Sequence, residues 1–362
     1  MTQERIVKVV LTAQMQNYIA GMEKAGKATR ETASEAEKLA KTKQDFDLMG
    51  RTMLGAGAAV AAGLGIAIHR FAEFDAAMSN VQAATGESAE GLESLADAAI
   101  EPGARTVYAA RGGANAIEEL GKAGVSTADI LSGGLDASLD LAAAGGLAVA
   151  DAAGIAATSL KTFNLEGDDM SHVADLLAAG AGKAMGEVSD LSAALSQSGQ
   201  VAASTGLTID ETTAALAAFA SQGLLGSDAG TSFKTMLGAL TPNSAKAAEE
   251  MKRLGISAYD ASGNFVGLEQ FAGNLQNAMK DLTPEARSAA MEVIFGSDAV
   301  RAANILYSEG ASGIAEWTAK VDDTGYASRT AATKLDNLRG DVVALGGAFD
   351  SALVQAGSYP NG

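Results

Sequence analysis

Few residues in this sequence could carry catalysis or bind a metal. The chain contains two histidines, His69 and His172, and no cysteine. The histidines lie far apart along the chain, and neither sits in an HExxH pattern of the kind that zinc enzymes use. Without cysteine there is no disulfide, thiolate metal site or cysteine nucleophile. We therefore predict no metal site and no cofactor, and we expect each histidine to cap or flank a helix.

A transglycosylase would instead need a glutamate in an apolar cleft. Glu187 and Glu211 are the candidates for such a general acid. Glu211, however, follows Thr208 by three positions, which is the spacing of a helix capping box. The sequence therefore favours a protein without enzymatic activity.

A third candidate is the segment from Gly226 to Thr231, which precedes an amphipathic helix. Glycines before a helix could cradle a phosphate. The segment lacks the Gly-Lys-Ser/Thr ending of a phosphate loop, and no strand is predicted before it. We interpret Ser227 as the helix cap and Asp228 as a first-turn acid. We expect Gly230 to permit close helix packing.

The composition indicates which elements must position these residues. Apolar residues make up 48% of the chain and aromatic residues 5%, with 42 Gly against 4 Pro. Apolar residues recur three and four positions apart almost throughout, so we predict an all-α fold packed through small side chains. The formal net charge of -18 repels phosphate backbones, so we expect no specific nucleic-acid binding. Two stripes are predicted to face the core: Phe233, Met236, Leu237 and Leu240, and Phe271, Leu275, Met279 and Leu282.

Residues 1–50 are predicted to form a short strand and a charged, coiled-coil-like helix. The strand covers RIVKVVL, residues 5–11, which are rich in β-branched side chains. Apolar residues then recur in alternating steps of three and four, the spacing of a coiled-coil seam. Thr29, Thr32 and Lys43 weaken this seam, so either a small oligomer such as a trimer forms here or the helix lies on another domain. The predicted oligomerisation seam consists of Met15, Tyr18, Met22, Ala25, Ala36, Leu39 and Phe46.

Residues 51–72 are predicted to form an apolar helix rich in small residues. The stretch from Met53 to Ile68 carries no charge and is close to the lower limit of about 17–25 residues for a membrane span. Its small residues fall four apart on two lines, which lets helix backbones approach closely. A buried hairpin and a segment that inserts into a membrane after release both remain open. The two lines are Gly55, Ala59 and Gly63, and Gly57, Ala61 and Gly65.

Residues 73–310 are predicted to form a helical core domain, and residues 311–362 a helical extension. The segments GVSTAD (124–129) and GLTIDE (206–211) are typical of helix-to-helix turns, in which Gly ends one helix and Ser or Thr caps the next. Farther along, alternating apolar residues flank a Ser-Gly-Asn turn. We predict a small β-hairpin there, from Ile256 to Val266, within an otherwise helical domain.

Four stretches resemble the large core region of phage tail tape measure proteins, and they occur in that family's order. FDAAMSNVQAATG (74–86) looks like the segment that opens the core, and a long helical stretch (173–240) follows it. GISAYDASGNFVGLEQF (255–271) and VIFGSDAVRAANIL (293–306) complete the order. The most specific residues of the match are Gly226, Ser227, Asp228, Ala229, Gly230 and Thr231 in the second stretch, and Phe295 and Gly296 in the fourth.

The resemblance implies a structural protein of a tailed-phage virion that needs no cofactor. Such proteins are made in the host cytoplasm, lie in several copies inside the tail tube, and set tail length during assembly. They leave the tail for the host envelope as DNA is ejected. The implied partners are the chain itself, the tail tube protein, tail tip or hub proteins, a tail assembly chaperone and, after ejection, the host membrane.

The chain is short for a protein that sets tail length. A fully helical chain rises about 1.5 Å per residue, so 362 residues would span at most about 540 Å. Members of the resembled family are usually much longer. We therefore expect that the ruler portion is missing from this sequence and that the extension at 311–362 is truncated. The alternative function is a membrane-active helical protein that inserts through residues 53–68.

Overall fold

The computed structural model describes residues 69–105 and 110–336. The predicted strand, the oligomerisation seam and the apolar helix at residues 53–68 lie outside the described residues, as does the chain after Asp336. Contacts divide the chain into two compact units, and the second unit holds the described residues from Asn115 to Asp336. The domain boundaries inferred from the sequence stay predictions.

The described part of the first unit is formed by helix α1 (69–85), helix α2 (Ala89–Arg105) and the beginning of helix α3 (Ala110–Lys122). Helices α2 and α3 approach closely, because a Cβ atom on Gly113 would lie 2.7 Å from the carbonyl oxygen of Ala99. The Arg111 guanidinium lies 3.1 Å from the Glu73 carboxylate, which links α3 to α1. Along α1, the buried side chains recur three or four positions apart: Phe74, Ala77, Met78 and Val81.

The second unit is helical through nearly all of its described length. A single helical turn and a π-helical turn (Ile130–Gly134) lead into α4, and a 3-10 turn (Gly167–Asp169) leads into α6. No strand occurs in residues 69–105 or 110–336, so the prediction of an all-α fold is confirmed. The helices are α4 (Leu135–Gly145), α5 (Val149–Phe163), α6 (Met170–Gly182), α7 (Val188–Thr205), α8 (Ile209–Ser221), α9 (Gly226–Ala239), α10 (Ala245–Leu254), α11 (Leu268–Met279), α12 (Pro284–Val321) and α13 (Tyr326–Leu335).

The first two predicted helix-to-helix turns are confirmed. Gly124 and Gly206 have φ angles of +86° and +96°, the left-handed backbone that ends a helix without steric strain in glycine. Ser126 then caps its helix, because its hydroxyl accepts a bond from the amide three positions later at 3.1 Å. Thr208 and Glu211 form a full capping box, with each side chain accepting a bond from the other's amide at 3.1 Å.

The predicted β-hairpin from Ile256 to Val266 does not form strands, which corrects that part of the sequence interpretation. The segment is a tight loop with one isolated antiparallel bridge, between Tyr259 and Phe265. The Asp260 carboxylate accepts a bond from the Asn264 amide at 2.9 Å, and this bond lowers the pKa of Asp260. The side chain closes the turn, but too few residues pair for a ladder to extend from it.

The core of the second unit is built from alanine and leucine with few aromatic anchors. Phe219 and Phe233 pack edge to face, with ring centroids 5.4 Å apart. The two predicted stripes face this core, and Leu282 alone among them is half-buried. No single helix in the described residues has the length and hydropathy to span a membrane, although two helical segments joined at a 114° bend, Thr127–Gly145 and Val149–Phe163, meet those limits together.

Candidate functional site

The segment from Gly226 to Thr231 forms the first turns of α9. The helix begins at Gly226, where φ is +58°, and Leu225 occupies the capping position without a side-chain hydrogen bond. The interpretation of Ser227 as the helix cap is therefore wrong, because the helix begins one residue before it. Asp228 lies in the first turn as expected, where the partial positive charge of the helix end favours a carboxylate.

Phe295 and Gly296, the second motif element, lie inside α12. Phe295 is buried. Gly296 interrupts the helical backbone with φ and ψ of 74° and 174°, a conformation that is essentially restricted to glycine. Gly296 therefore occupies a backbone position that excludes residues with a side chain.

The side chain of Ser232 joins α9 and α12, the helices that carry the two motif elements. Its hydroxyl donates to the Asp298 carbonyl at 2.7 Å and accepts from the Ala302 amide at 3.1 Å. An unbroken helix would bond that carbonyl to that amide directly. The Ser232 hydroxyl is therefore inserted into the hydrogen-bond ladder of α12, where it satisfies both groups. Nearby, the exposed side chains of Asp228 and Arg301 lie 3.6 Å apart.

The sequence held one signal for this contact that residue-by-residue analysis missed. The tetrapeptide Gly-Ser-Asp-Ala occurs twice, at residues 226–229 and 296–299. Each copy starts with a glycine of positive φ, 58° in the first and 74° in the second. The helices that follow the two copies pack against each other through Ser232.

Gly230 lies at the closest approach between α9 and α7. A Cβ atom at Gly230 would lie 2.2 Å from the carbonyl oxygen of Ala194. The same carbonyl accepts a bond from the Ser198 hydroxyl at 2.8 Å. The two helix backbones meet here with no room for a side chain on α9.

The glutamates weighed as general acids both belong to helix caps. Glu187 precedes α7, and its amide donates to the Asp190 carboxylate at 3.0 Å within a capping box. Glu211 is held by Thr208 at the start of α8. Glu187 is exposed and Glu211 is half-buried. The structure thus explains both residues through local helix chemistry.

Two carboxylates hold α13 against the other helices of the second unit. Asp175 is 8% exposed and accepts bonds from the amides of Gly325 and Ala327, at 2.6 and 2.9 Å. It therefore caps the N-terminus of α13 from another helix. Burial raises the pKa of Asp140, whose side chain also bonds to Ser328. Sequence reasoning missed the contacts of Asp175 because its partners lie 150 and 152 residues away along the chain.

His172 lies close to two carboxylates that are distant from it in the sequence. His172 lies in the first turn of α6, and its Nε2 atom is 2.8 Å from Oδ1 of Asp210. Asp322 ends α12, and one donor atom from each of the three residues lies within 4.8 Å of the others. His69, by contrast, lies beside Glu73 at 3.6 Å in α1. Only His172 is thus placed among several possible metal ligands in the described part of the chain.

An open groove of about 900 Å³ runs between α5 and α7. Its lining consists mainly of small and hydroxyl side chains, including Gly154, Thr158 and Thr162 from α5 and Ser192 and Ser196 from α7. Two acidic side chains, Glu119 and Asp151, also line the groove.

Comparison with known proteins decides the family. The model of the family described as phage-related minor tail protein matches residues 96–296. The chain belongs to this family. It is 32% identical over 330 residues to the tape measure protein of Pneumococcus phage Dp-1, covering 89% of this chain and 29% of that protein. It is 27% identical over 340 residues to the probable tape measure protein of Escherichia phage P2, covering 88% and 41% respectively. No solved structure matches.

The resemblance to tape measure proteins inferred from the sequence is confirmed, and the protein is a component of the phage tail. The matched region holds the whole first motif element and ends at Gly296. The chain spans less than half the length of either of these relatives. The oligomerisation seam and the small-residue lines at 53–68 lie outside the described residues and stay predictions.

Proposed function

We propose that this minor tail protein is part of a tape measure protein that lies in several copies inside the tail tube and sets tail length during assembly. The observation that carries the proposal is the 32% identity to a tape measure protein across 89% of the chain. The proposed partners are the chain itself in a trimer or other small oligomer, the tail tube protein, tail tip or hub proteins, and a tail assembly chaperone.

Because the second unit is compact, we infer that length measurement and scaffolding are carried out by different parts of such a protein. A continuous helix rises about 1.5 Å per residue, whereas residues folded into a compact bundle add far less length. We therefore assign the measuring task to extended helical segments of the full-length protein. The unit that begins at Asn115 serves as a folded scaffold, and no step in this role requires catalysis.

Tail length in the intact phage tests the proposal. In-frame deletions in the part of the gene that encodes the extended helical segments should shorten the tails by about 1.5 Å per deleted residue, as seen by electron microscopy. Insertions of equal length should lengthen them. The substitution Gly238→Ala within the compact unit is the control and should leave length unchanged. Tails of constant length in the deletion series would overturn the proposal.

We also propose that the protein enters the host envelope when DNA is ejected. The uncharged stretch at residues 53–68 supports this step, because a helix with apolar side chains bonds its own backbone polar groups and can therefore cross lipid. The purified protein should release dye from liposomes, and Gly63→Lys should abolish the release. Asn80→Lys, on an exposed position of α1, adds the same charge elsewhere and should not. Equal leakage from both variants would contradict this step.

A further inference from the structure

Three helix ends converge where His172, Asp210 and Asp322 meet. His172 and Asp210 lie in the first turns of α6 and α8, and Asp322 is the residue that ends α12. The His172 Nε2 atom is 2.8 Å from Asp210 Oδ1, and the three donor atoms lie within 4.8 Å of one another. Both His172 and Asp210 keep about a third of their side chains exposed, at 39% and 32%. Solvent, and any ion dissolved in it, therefore reaches the cluster.

The charge around Asp322 is unbalanced. Asp322 and Asp323 follow the last turn of α12, where the partial negative charge of the helix end disfavours further anions. Asp323 is neutralised by Lys183 and Arg329, which lower its pKa. Asp322 forms no ion pair with a lysine or arginine in the described residues, and it lies beside a second carboxylate, that of Asp210. A cation at this point would relieve the repulsion between the two carboxylates and complement the end of α12, whereas the beginnings of α6 and α8 favour the carboxylates themselves.

The geometry points to a binding site for Zn²⁺ formed by the His172 imidazole and the carboxylates of Asp210 and Asp322. One nitrogen and two oxygen donors suit zinc, whereas calcium and magnesium prefer oxygen donors alone. Two ligands about 2.1 Å from one ion lie about 3.0–3.4 Å apart, close to the separation of the His172 and Asp210 donors. Asp322 is exposed, so rotation of its side chain brings its oxygen within reach. Water would complete the coordination.

A bound zinc ion would tie the end of α12 to the beginnings of α6 and α8. The segment that follows leads directly into α13, which Asp175 caps. The site would therefore stabilise the second unit near the point where the chain leaves it. The rival account is an ion pair only, in which a protonated His172 bridges the two carboxylates without metal.

Zinc titration of the purified chain tests the site. After removal of metals with a chelator, ZnCl₂ is added in a calorimeter, and melting temperature is measured with and without zinc. We expect one saturable site and a higher melting temperature with zinc. Asp322→Asn should weaken binding about 100-fold, since even groups that only support a zinc ligand change affinity by about 10- to 100-fold. Without zinc this variant should melt at or above the temperature of the native chain.

Asp336→Asn is the matched control. Asp336 is exposed and ends α13 with φ and ψ of -74° and 72°, nearly the same backbone as Asp322 at -76° and 75°. This variant should bind zinc like the native chain. A second readout is the nitrogen NMR spectrum of His172, recorded in a His69→Gln background, in which zinc should shift the Nε2 resonance. Absence of saturable binding, binding that Asp322→Asn does not weaken, or a His172 spectrum that responds to pH but not to zinc would overturn the proposal.

Discussion

Gly230 lies where the backbones of α7 and α9 are in direct contact, so a substitution there tests how much this contact stabilises the fold. The substitution Gly230→Ala would place a methyl group 2.2 Å from the Ala194 carbonyl oxygen, much closer than van der Waals contact. Helices α7 and α9 must then separate, and we expect a loss of about 1–3 kcal/mol in the free energy of unfolding. Urea unfolding followed by circular dichroism would measure it.

Gly238 supplies the control on the same helix. A Cβ atom added there meets no atom within 4 Å. Gly238→Ala should therefore keep or raise the free energy of unfolding, by up to about 1 kcal/mol, because alanine favours the helix over glycine. If both substitutions destabilised the protein equally, the loss would come from a general intolerance of alanine in α9 rather than from the contact with α7.

The raised pKa of Asp140 leads to a prediction about how the stability of the protein depends on pH. Burial is the largest cause of its raised pKa, Asp136 and Asp175 add to the effect, and the bond to Ser328 opposes it. The folded state therefore holds this proton more tightly than the unfolded chain does. Deprotonation of this carboxyl group therefore lowers the free energy of unfolding as pH rises from the ordinary pKa of 3.8 through the raised value.

The substitution Asp140→Asn removes this titration, since an amide stays neutral at every pH. We expect the variant to melt at a higher temperature than the native protein at pH 7, and the difference to shrink as pH falls toward 3.8. Differential scanning calorimetry of the two proteins across that range is the measurement. A variant that melted lower at pH 7 would show that the charged form of Asp140 stabilises the fold through Ser328.

At the scale of elements, α13 depends on a cap that another helix supplies. The substitution Asp175→Ala leaves the amides of Gly325 and Ala327 without their acceptor. Hydrogen bonds to charged groups contribute about 1.5–3 kcal/mol, so α13 should open before the rest of the unit. Hydrogen exchange should accelerate selectively across Tyr326–Leu335. Asp168→Ala, at an exposed acid, should leave that exchange unchanged, and equal exchange in both variants would contradict the role of Asp175.

Helix ends could be predicted from the sequence wherever local chemistry determines them. The turns at Gly124 and Gly206 follow from a glycine, an apolar residue and a Ser or Thr within three positions, and no distant partner is needed. Ser227 does not cap its helix, because Gly226 itself enters the helix with a positive φ angle. The hairpin prediction failed because alternation signals strands only when enough residues pair, and the Asp260 side chain closes the loop too early.

At the scale of the whole molecule, contacts between distant residues could not be predicted. The all-α class and the core stripes follow from composition and periodicity, which average over many residues. Insertion of the Ser232 hydroxyl between Asp298 and Ala302 joins residues 66 and 70 positions apart, which no local pattern records. The meeting of His172 with Asp210 across 38 positions is of the same kind. Local patterns therefore predict the helices, and only the fold shows which distant residues meet.

The net charge of -18 leads to a prediction for the whole chain in the presence of DNA. Residues 1–50 hold 8 Lys and Arg against 7 Asp and Glu, so the excess of acid lies in the remaining sequence. Proteins bind duplex DNA non-specifically by neutralising phosphates with basic side chains, usually with dissociation constants of about 1–100 µM.

We expect no change in the fluorescence anisotropy of labelled duplex DNA with up to about 100 µM protein at low salt, with polylysine as the positive control. Binding that weakened as salt was added would reveal a basic surface hidden by the total charge. Its absence would fit a protein proposed to share the tail lumen with DNA without retaining it.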